Sequence, residues 1–433
     1  MRLEDGTSGA AYRNHWVNIR NNWIAVCGGC TLSTVFIIEK DRRIRAEAAE
    51  FVERLYPRFR YAYDEDGYCT EGVGYWNFGF GNALELGFTI FEATDGRWDF
   101  LSENGGRDMA KYGIACQVEK GRSAWFADGG GAPFPDLLWM IAGRWPDLVP
   151  DSMLSPPETG GSQFDSRGGW RPNLYRTAFT AFGAKPKGTA SDALPVRSWY
   201  PHAQVLIGRP EHDSARSPFS VALKGGNNDE AHNHNDLGSY VVLYGGVEMA
   251  GDPGGEIYTA RTFSDRRYDS KMINSYGHPV PVIDGRLQTT GWAASAKVIR
   301  TAFTDKADSL ILDLSLAYVC PALERMERHF TYNRAAPSFM VADHAEFSSS
   351  VEFETPFVTY CDVRELAKGA YELTDRTSGR RLMLSISVVG DAEWRLQHSQ
   401  IENPGRPTVS RYAVRFLKPV RKASVVFDFR PVK

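Results

Sequence analysis

Three potential ligands stand two positions apart in this chain: His232, His234 and Asp236. Only nine histidines occur in 433 residues, so two of them beside an aspartate form an informative cluster. In an extended strand alternate side chains point to one face, and we therefore expect these three to project together. Two imidazoles and a carboxylate suit a divalent metal or a polar substrate. The alternative is a polar loop capped by its own Asn and Asp side chains.

A hairpin should bring a second carboxylate back to the histidines. Residues 239–244 and 247–250 are predicted strands, and the Gly-Gly pair between them is typical of a tight two-residue turn. The returning strand would carry Asp252 toward His232 and His234. Because the ligand types and the hairpin agree, the sequence favours a metal site over the capped loop.

Length and composition restrict the kind of protein. The 433 residues predict two domains, or three, with ample apolar surface for their cores. Hydrophobic and charged shares of 42% and 24% are ordinary for a soluble globular protein, and a net charge of -3 argues against a nucleic-acid partner. The aromatic share of 12% suits both carbohydrate grooves and β-sandwich cores.

No membrane or export signal is visible in the sequence. No apolar run is long enough to span a bilayer, so we expect no membrane partner. The first residues lack the basic and apolar regions of a signal peptide. We therefore expect a cytoplasmic location for the chain as it stands, or a periplasmic or secreted one if the natural N-terminus is longer.

The six cysteines carry little functional signal. Cys27 and Cys30 form a lone C-x-x-C within an apolar helical stretch, which favours helix packing over a redox or zinc role. The other four are scattered and should be reduced; they are Cys69, Cys116, Cys320 and Cys361.

The periodicity of the chain changes along its length. Helical patterns dominate residues 12–145, with predicted helices at residues 22–38, 42–55, 82–92 and 137–145. Residues 146–190 are rich in Pro, Gly and Ser and resemble a linker or a surface loop. From residue 195 onward the period becomes two, with predicted strands at residues 220–224, 309–315, 381–388 and 424–430. We predict an α+β multidomain protein with a helical domain at 1–190 and an antiparallel β-sandwich at 191–433.

The motifs, taken together, resemble the heparinase II/III family of polysaccharide lyases. In the second half the matching elements are His232-Asn-His-Asn-Asp-Leu-Gly-Ser239, Gly251-Asp252-Pro-Gly254, Tyr258, Arg267-Tyr268, Asn274-Ser275, His278, Val282-Ile-Asp-Gly285 and Gln288. In the first half they are Asn21-Asn22-Trp23, Asp66-Gly67-Tyr68, Glu71-Gly72 and Tyr75-Trp76. The resemblance implies an N-terminal (α/α) toroid, C-terminal antiparallel sheets and an active site between them.

The resemblance also implies roles for individual residues. The metal ligands would be His234, Asp252 and His278, holding one divalent ion with a mainly structural function; zinc is expected, with Mn²⁺ or Ca²⁺ as alternatives. The catalytic residues would be Tyr75, which transfers protons, and His232 and Asn22, which neutralise the substrate carboxyl group. The substrate-binding residues would be Asn21, Trp76 and Arg267.

Each of these roles has a plainer structural alternative. Tyr75 and Trp76 could cap a helix and fill a core, and Asn21 and Asn22 could be an N-cap. Arg267, with Arg261 and Arg266, could form a solvated face instead of binding an acidic sugar. His15 is a possible base only if the helix register differs from this alignment, and Tyr68 is the nearest alternative tyrosine.

The sequence departs from the family pattern in two places. Only 20 residues precede Asn21, whereas family members carry a longer toroid there, so the cut edge should expose apolar helix faces. We therefore expect a homo-oligomer, in its simplest form a dimer. The second departure is the Pro279-Val280 pair after His278, where many members have Asn-Thr; the ligand itself remains.

The function expected from the resemblance is β-elimination in a uronate-containing polysaccharide or oligosaccharide. A uronate epimerase of the same fold begins with the same proton abstraction and is the first alternative. The second is a non-catalytic protein that binds acidic carbohydrate.

Overall fold

Two compact units make up the chain in the computed structural model, which describes residues 15–155, 176, 178–180, 183–211, 218–389 and 392–432. The helical unit comprises Met1–Ala115 and Ala132–Leu194. The β unit comprises Pro195–Lys433 together with Cys116–Gly131. Over the described ranges, no helix has the length and apolar character needed to cross a membrane.

The helical unit begins with a 3-10 helix, His15–Val17, and a π-helix, Ile24–Gly28, that runs directly into α1. The α-helices of its described part are α1 (Gly29–Ile38), α2 (Arg42–Arg60), α3 (Val73–Ala93), α4 (Phe100–Glu103), α5 (Gly106–Ala115) and α6 (Pro135–Arg144). Two further 3-10 helices follow, Pro146–Leu148 and Asp151–Met153.

The helices predicted from periodicity are confirmed, and two of them, α2 and α3, are longer than predicted. The side chain of Asp41 accepts a hydrogen bond from the Arg43 amide and so caps α2, which runs past the predicted end to Arg60. α3 starts nine residues before the predicted Asn82, in a stretch where glycine weakens the helical pattern. One of these glycines, Gly79, lies so close to Asn22 that an added Cβ would come within 2.7 Å of its Cβ. The glycine therefore permits close packing.

Part of the predicted linker at 146–190 lies outside the described residues, namely 156–175, 177, 181 and 182. The described beginning of it is folded against the helices, since the indole nitrogen of Trp139 donates to the Ser155 carbonyl at 2.8 Å. The toroid stays a prediction. The exposed apolar side chains Ile37, Ile38 and Ile44 on α1 and α2 agree with the expected apolar faces, and the dimer also stays a prediction.

The β unit consists of antiparallel sheets. Its strands are β1 (Gln117–Glu119), β2 (Arg122–Ser123), β3 (Arg197–Tyr200), β4 (Val205–Gly208), β5 (Phe219–Lys224), β6 (Asn227–Asn228), β7 (Tyr240–Tyr244), β8 (Val247–Gly251), β9 (Val282–Ile283), β10 (Gly291–Ser295), β11 (Lys297–Phe303), β12 (Ala307–Asp313), β13 (Leu323–Asn333), β14 (Ser338–Val351), β15 (Phe353–Thr359), β16 (Asp362–Ala367), β17 (Ala370–Thr374), β18 (Arg381–Val388), β19 (Trp394–Ile401), β20 (Val409–Phe416) and β21 (Val420–Pro431). The larger sheets have the orders β3-β4-β5-β7-β8, β19-β20-β15-β9 and β11-β12-β13-β14-β21-β18-β17-β16.

The five-stranded and eight-stranded sheets share one apolar core. Tyr240 of β7 packs edge-on against Phe339 of β14, with ring centroids 5.6 Å apart. The Tyr332 hydroxyl of β13 donates to the Phe219 carbonyl of β5 at 2.5 Å. Burial alternates along β12 and β21, as expected for strands with one face in a core. The predicted α+β class and the stacked antiparallel sheets are confirmed.

A segment between α5 and α6 leaves the helical unit and belongs to the β unit. Its strands β1 and β2 pair as a short hairpin, and the guanidinium of Arg209 donates to the Gln117 carbonyl at 2.7 Å. The predicted boundary after residue 190 did not include this excursion. Its last turn carries Asp128, which the sequence analysis did not select.

Candidate metal and histidine site

The segment from His232 to Asp236 is a loop before β7, so the predicted strand with its alternating side chains is wrong. His232 has a φ of 56°, in the left-handed region, which breaks the alternation at its first residue. The side chains of His234 and Asp236 are nevertheless fully buried, and that of His232 is 17% exposed. The loop therefore turns two of the groups inward and leaves one at the surface.

Core side chains hold this loop in place. The Gln288 amide oxygen accepts from the Leu237 amide at 2.9 Å, and its amide nitrogen donates to the Leu237 carbonyl at 2.8 Å. Arg328, buried and paired with Asp343, donates to the carbonyls of Gly238 and Pro279. One guanidinium thus fixes both the histidine loop and the segment that carries His278.

Asp128 lies at the centre of a buried hydrogen-bond network. One carboxylate oxygen is 2.9 Å from His234 Nε2, and the other is 3.0 Å from His232 Nδ1 and 2.9 Å from the Arg267 guanidinium. Burial alone would favour the neutral acid, but the hydrogen bonds from both histidines and the charge of Arg267 hold the pKa of Asp128 well below its ordinary value. Asp128 is therefore an ionised acceptor for both rings.

The hairpin carries Asp252 to His278, whereas the expected partners were His232 and His234. Its Oδ2 lies 3.0 Å from His278 Nδ1 and accepts from the Ser239 hydroxyl at 2.7 Å. The turn into this position requires Gly251, where φ is 132° and a Cβ would come within 2.2 Å of the Tyr240 carbonyl oxygen. The predicted hairpin, with its Gly-Gly turn between β7 and β8, is confirmed.

The other ring nitrogen of His278 faces a backbone carbonyl. His278 Nε2 lies 3.1 Å from the Met272 carbonyl oxygen, which can only accept, so the proton is on Nε2. In a neutral ring Nδ1 then presents a lone pair to the Asp252 carboxylate, which is unfavourable unless a cation lies between them. The alternative is a protonated ring: burial lowers the pKa of His278, but the charge of Asp252 outweighs it and raises the pKa above 6.5.

Two buried atoms at this place lack a hydrogen-bond partner among the residues that the structure describes: His234 Nδ1 and Asp236 Oδ2. Ligand atoms of His234, Asp236 and His278 lie within 4.8 Å of one another. A tetrahedral zinc with bonds of about 2.0–2.1 Å separates neighbouring ligand atoms by about 3.3 Å, so the group would contract by up to about 1.5 Å to hold one.

The local charges also favour a cation. Lys224 Nζ pairs with Asp236 Oδ1 at 2.6 Å, whereas the charge of Asp252 is balanced only by a protonated His278 or by a bound cation. Buried carboxylates are ordinarily paired or bound to metals. The residues present therefore fit a divalent ion. The predicted set His234, Asp252 and His278 stays a prediction, and Asp236 joins it as a fourth candidate.

The site residues predicted in the helical unit differ in their burial. Tyr75 is half-buried in the first turn of α3. Asn22 is 3% exposed, and its amide donates to Glu71 Oε2 at 2.8 Å. The Asn21 side chain accepts from the Trp23 amide at 3.0 Å, which is a local turn before the helix, and its substrate-binding role stays a prediction. Asn22 and Tyr75 stay predictions as catalytic residues.

Trp76 is not a substrate contact, and that prediction is wrong. Its side chain is 0% exposed, it stacks on Phe80, and its indole nitrogen donates to the Met109 carbonyl at 2.6 Å. Gly113 packs directly on the ring. The helical period places position 76 on the inward face of α3, so this tryptophan fills the core.

The guanidinium of Arg267 is engaged within the β unit. It donates to Asp128 and to the carbonyls of Asn233 and Thr262, and its side chain is 13% exposed. These contacts favour a supporting role over the predicted contact with substrate. Arg261 is similarly paired with Glu256 at 2.6 Å, whereas Arg266 is exposed and paired with Asp269.

Exposed aromatic rings surround His232. Tyr258 is 40% exposed and Phe263 is 66% exposed, and their ring centroids are 5.0 Å apart. The Tyr258 hydroxyl lies 3.2 Å from His232 Nδ1, and the His232 ring meets Phe263 edge-on at 6.4 Å. A partly exposed imidazole therefore stands beside an aromatic surface.

Sequence reasoning missed Asp128 and Lys224. Asp128 lies in an Ala-Asp-Gly-Gly-Gly run that reads as an ordinary turn, 106 residues from His234. Lys224 ends a predicted strand, and a buried lysine is rare unless it is paired. That expectation is the only sequence signal for its partnership with Asp236.

Comparison with known proteins supports the fold. No protein-family model matches the chain, and a search of curated proteins finds no match. Among solved structures, the chain is similar to a heparinase III (TM-score 0.72, 13% identity, 98% of this chain and 64% of the other). It is also similar to heparan sulfate lyase HepC from Pedobacter heparinus (TM-score 0.66, 12% identity, 94% and 59%).

A further heparinase III, the BT4657 gene product, matches with a TM-score of 0.71, 12% identity and coverage of 98% of this chain and 62% of the other. The chain therefore spans about three fifths of the length of these structures. It has the heparinase III-like fold, which is what similarity at this level of identity shows.

Proposed function

We propose that this chain is a polysaccharide lyase that cleaves a uronate-containing acidic glycan by β-elimination. The observation that carries the proposal is the partly exposed imidazole of His232, fixed by a buried carboxylate and bordered by exposed aromatic rings. The fold shared with heparinase III and heparan sulfate lyase supports the same class of reaction.

The proposed reaction removes the proton on C5 of the uronate, the carbon α to the carboxyl group. The C5–H electrons form the C4–C5 double bond, the C4–O4 bond breaks, and the departing O4 takes a proton. Because this carbon acid is very weak, the substrate carboxylate must be neutralised by hydrogen bonds or positive charge. We assign that task to His232 in the β unit and to Asn22 in the helical unit.

Tyr75 is the proposed proton carrier. A phenol titrates near pH 10 in its unperturbed state, so it acts as a base only where donors lower its pKa, and in its protonated form it can supply the proton to O4. Tyr75 and His232 belong to different units, and their action on one substrate is part of the proposal.

A divalent ion, zinc in the first instance, is proposed to have a structural role. When bound, it would tie His234, His278 and the Asp236 or Asp252 carboxylate together and neutralise their charge. Elimination consumes no water, so activation of a water molecule is not required. The effect on catalysis would be to hold rigid the loop that presents His232.

The exposed aromatic pair is proposed to bind a sugar ring. Tyr258 and Phe263 present apolar faces next to His232, and aromatic rings are suited to the apolar face of a pyranose because both surfaces are flat and weakly hydrated. Exposed cationic side chains nearby, such as Arg266, could then meet the acidic groups of the glycan.

The experiment that tests the proposal is incubation of the protein with heparan sulfate, other glycosaminoglycans and alginate, with absorbance of the unsaturated uronate as the readout. Substrate-dependent absorbance that is lost in Tyr75→Phe supports the lyase. Deuterium incorporation at C5 without absorbance identifies the epimerase instead. Saturable binding with neither signal identifies a carbohydrate-binding protein.

A further inference from the structure

We propose that Asp128 is the positioning residue of this site, and that it fixes the ring tautomer of the metal-site histidine His234 and of His232 at once. Each oxygen of its carboxylate serves one imidazole. The catalytic part of this inference rests on the proposed function, whereas the part that concerns His234 does not.

The geometry determines which nitrogen of His234 carries the proton. Nε2 lies 2.9 Å from a carboxylate oxygen, which can only accept, so the proton is on Nε2. The lone pair is then on Nδ1, and this is the buried atom that has no hydrogen-bond partner among the described residues. The same ring therefore points its proton at Asp128 and keeps a lone pair on Nδ1 for an ion, and His234 is one of the candidate ligand group with Asp236 and His278.

This arrangement is the one that a metal-binding histidine requires. A histidine ligand ordinarily donates its second ring nitrogen to a carboxylate or carbonyl, which fixes the tautomer and the ring plane and increases the basicity of the ligand nitrogen. His278 uses the Met272 carbonyl for the same purpose. His234 is thus prepared to bind through Nδ1, whereas Nδ1 of His278 binds an ion only when it gives up its contact with Asp252.

The second oxygen of Asp128 acts on His232. It lies 3.0 Å from Nδ1, so a proton on Nδ1 orients the ring and directs Nε2 away from the carboxylate. The Tyr258 hydroxyl lies 3.2 Å from the same Nδ1, and its ring stacks on the imidazole. The carboxylate orients the ring together with this tyrosine, from a segment 104 residues away in the sequence.

Arg267 neutralises the charge of the Asp128 carboxylate. Its guanidinium lies 2.9 Å from the oxygen that also serves His232, and it binds the Asn233 carbonyl between the two histidines. The side chain of Asp128 is 1% exposed, and a buried carboxylate requires such compensation. Asp128 and Arg267 therefore add no net charge to the site, and their contribution is orientation.

Asp128→Asn is the decisive variant because it keeps the shape and removes one acceptor. An amide offers one oxygen and one NH₂ group, so one of the two rings must turn or change its tautomer. We expect the affinity of metal-free protein for Zn²⁺, measured by calorimetry, to fall by about 10–100-fold. We expect kcat to fall while KM stays near the wild-type value, because the substrate contacts themselves remain.

The ring nitrogens can also be observed directly. In metal-free wild-type protein with ¹⁵N-labelled histidine, His234 should show its proton on Nε2, and this signal should change in Asp128→Asn. Asp362→Asn is the matched control, since it removes an exposed carboxylate of β16, paired with Arg376 at the edge of the eight-stranded sheet, and should leave zinc affinity, kcat and both tautomers unchanged.

Two results would overturn the inference: a wild-type His234 that carries its proton on Nδ1, or an Asp128→Asn protein whose zinc affinity and kcat both equal those of the wild type. The spectrum of the wild-type protein decides the question even if the variant does not fold. If no lyase activity is found, the zinc and tautomer measurements still test Asp128, so failure of the proposed function and failure of this inference are distinguishable.

Discussion

Asp128 and His232 are joined by a hydrogen bond of 3.0 Å although 104 residues separate them in the sequence. The aspartate comes from a short excursion between two helices, and that excursion belongs to the β unit. The group that orients His232 is thus supplied by residues that lie between two helices in the sequence but belong to the β unit. Substitutions in the excursion should therefore affect the histidine site directly.

Metal content is the first prediction. Protein purified without added metal should contain one divalent ion per chain by elemental analysis, with zinc the expected ion. Removing the ion with a chelator should lower the melting temperature of the β unit, because a ligand that binds only the folded state stabilises it by about 2.7 kcal/mol at 100 times its Kd. His234→Ala should lose the ion and this dependence. A metal-free wild-type protein that is fully folded and indifferent to chelator would contradict the prediction.

Tyr75→Phe tests the proton carrier. The phenol oxygen contributes little to ground-state binding, so kcat should fall by about 10²–10⁴-fold with KM nearly unchanged. Tyr61→Phe is the control, since Tyr61 is an exposed tyrosine of the same unit, and it should retain full activity. A Tyr75→Phe enzyme with wild-type kcat would exclude this residue and leave Tyr68 or His15 to be tested.

Phe263→Ala tests the aromatic surface beside His232. The ring is 66% exposed and outside the core, so its removal should leave the melting temperature unchanged while KM rises roughly 2- to 10-fold, as expected for loss of about 0.5–1.5 kcal/mol of stacking. Leu366→Ala removes an exposed apolar side chain of β16, at the edge of the eight-stranded sheet, and should leave KM at the wild-type value. Equal KM values in wild type and Phe263→Ala would remove the proposed sugar contact.

Much of the fold could be predicted from local patterns. The strand at residues 381–388 has the bounds that alternation gave, and the Gly-Gly turn joins β7 to β8 as expected. These elements follow from side-chain periodicity and turn chemistry, which are properties of neighbouring residues. α3 was predicted too short because its glycines weaken the helical signal, whereas in the structure they serve close packing.

The residue types of the site could be predicted from the sequence, but their hydrogen-bond partners could not. His278 lies close to both His234 and Asp252, yet the strand proposed for the histidines is a loop with a left-handed residue. Asp128 could not be found because nothing near it in the sequence signals its tertiary partners. The resemblance implied that Trp76 binds substrate, and its burial decides against that role.

The hydrogen bond between Asn22 and Glu71 leads to a prediction that separates a structural role from a catalytic one. Asn22→Ala removes a buried partner of a carboxylate, so it should lower the free energy of unfolding by about 1–3 kcal/mol. If Asn22 also neutralises the substrate carboxyl group, kcat should fall even at temperatures where the variant is fully folded. A variant that is destabilised but has wild-type kcat would leave the residue as structural support alone.

The last prediction concerns pH and rests on His344, in β14 away from the proposed ligands. Burial, followed by the neighbouring His329 ring 4.6 Å away, lowers its pKa from the usual 6.5 despite the opposing charges of Asp343 and Glu327. Protonation therefore favours the unfolded chain. The contribution of the neutral His344 ring to the free energy of unfolding is fully present above pH 6.5. It is lost as the pH falls through the lower pKa that His344 has in the folded state.

Chemical denaturation between pH 8 and pH 5 measures this loss. The free energy of unfolding of the wild type should decline below pH 6.5, and His344→Gln should decline less, because glutamine carries no titrating proton. His398→Gln is the matched control: it removes an exposed histidine from β19 and should follow the wild-type curve. Parallel curves for wild type and His344→Gln over this range would show that His344 does not set the acid sensitivity of the β unit.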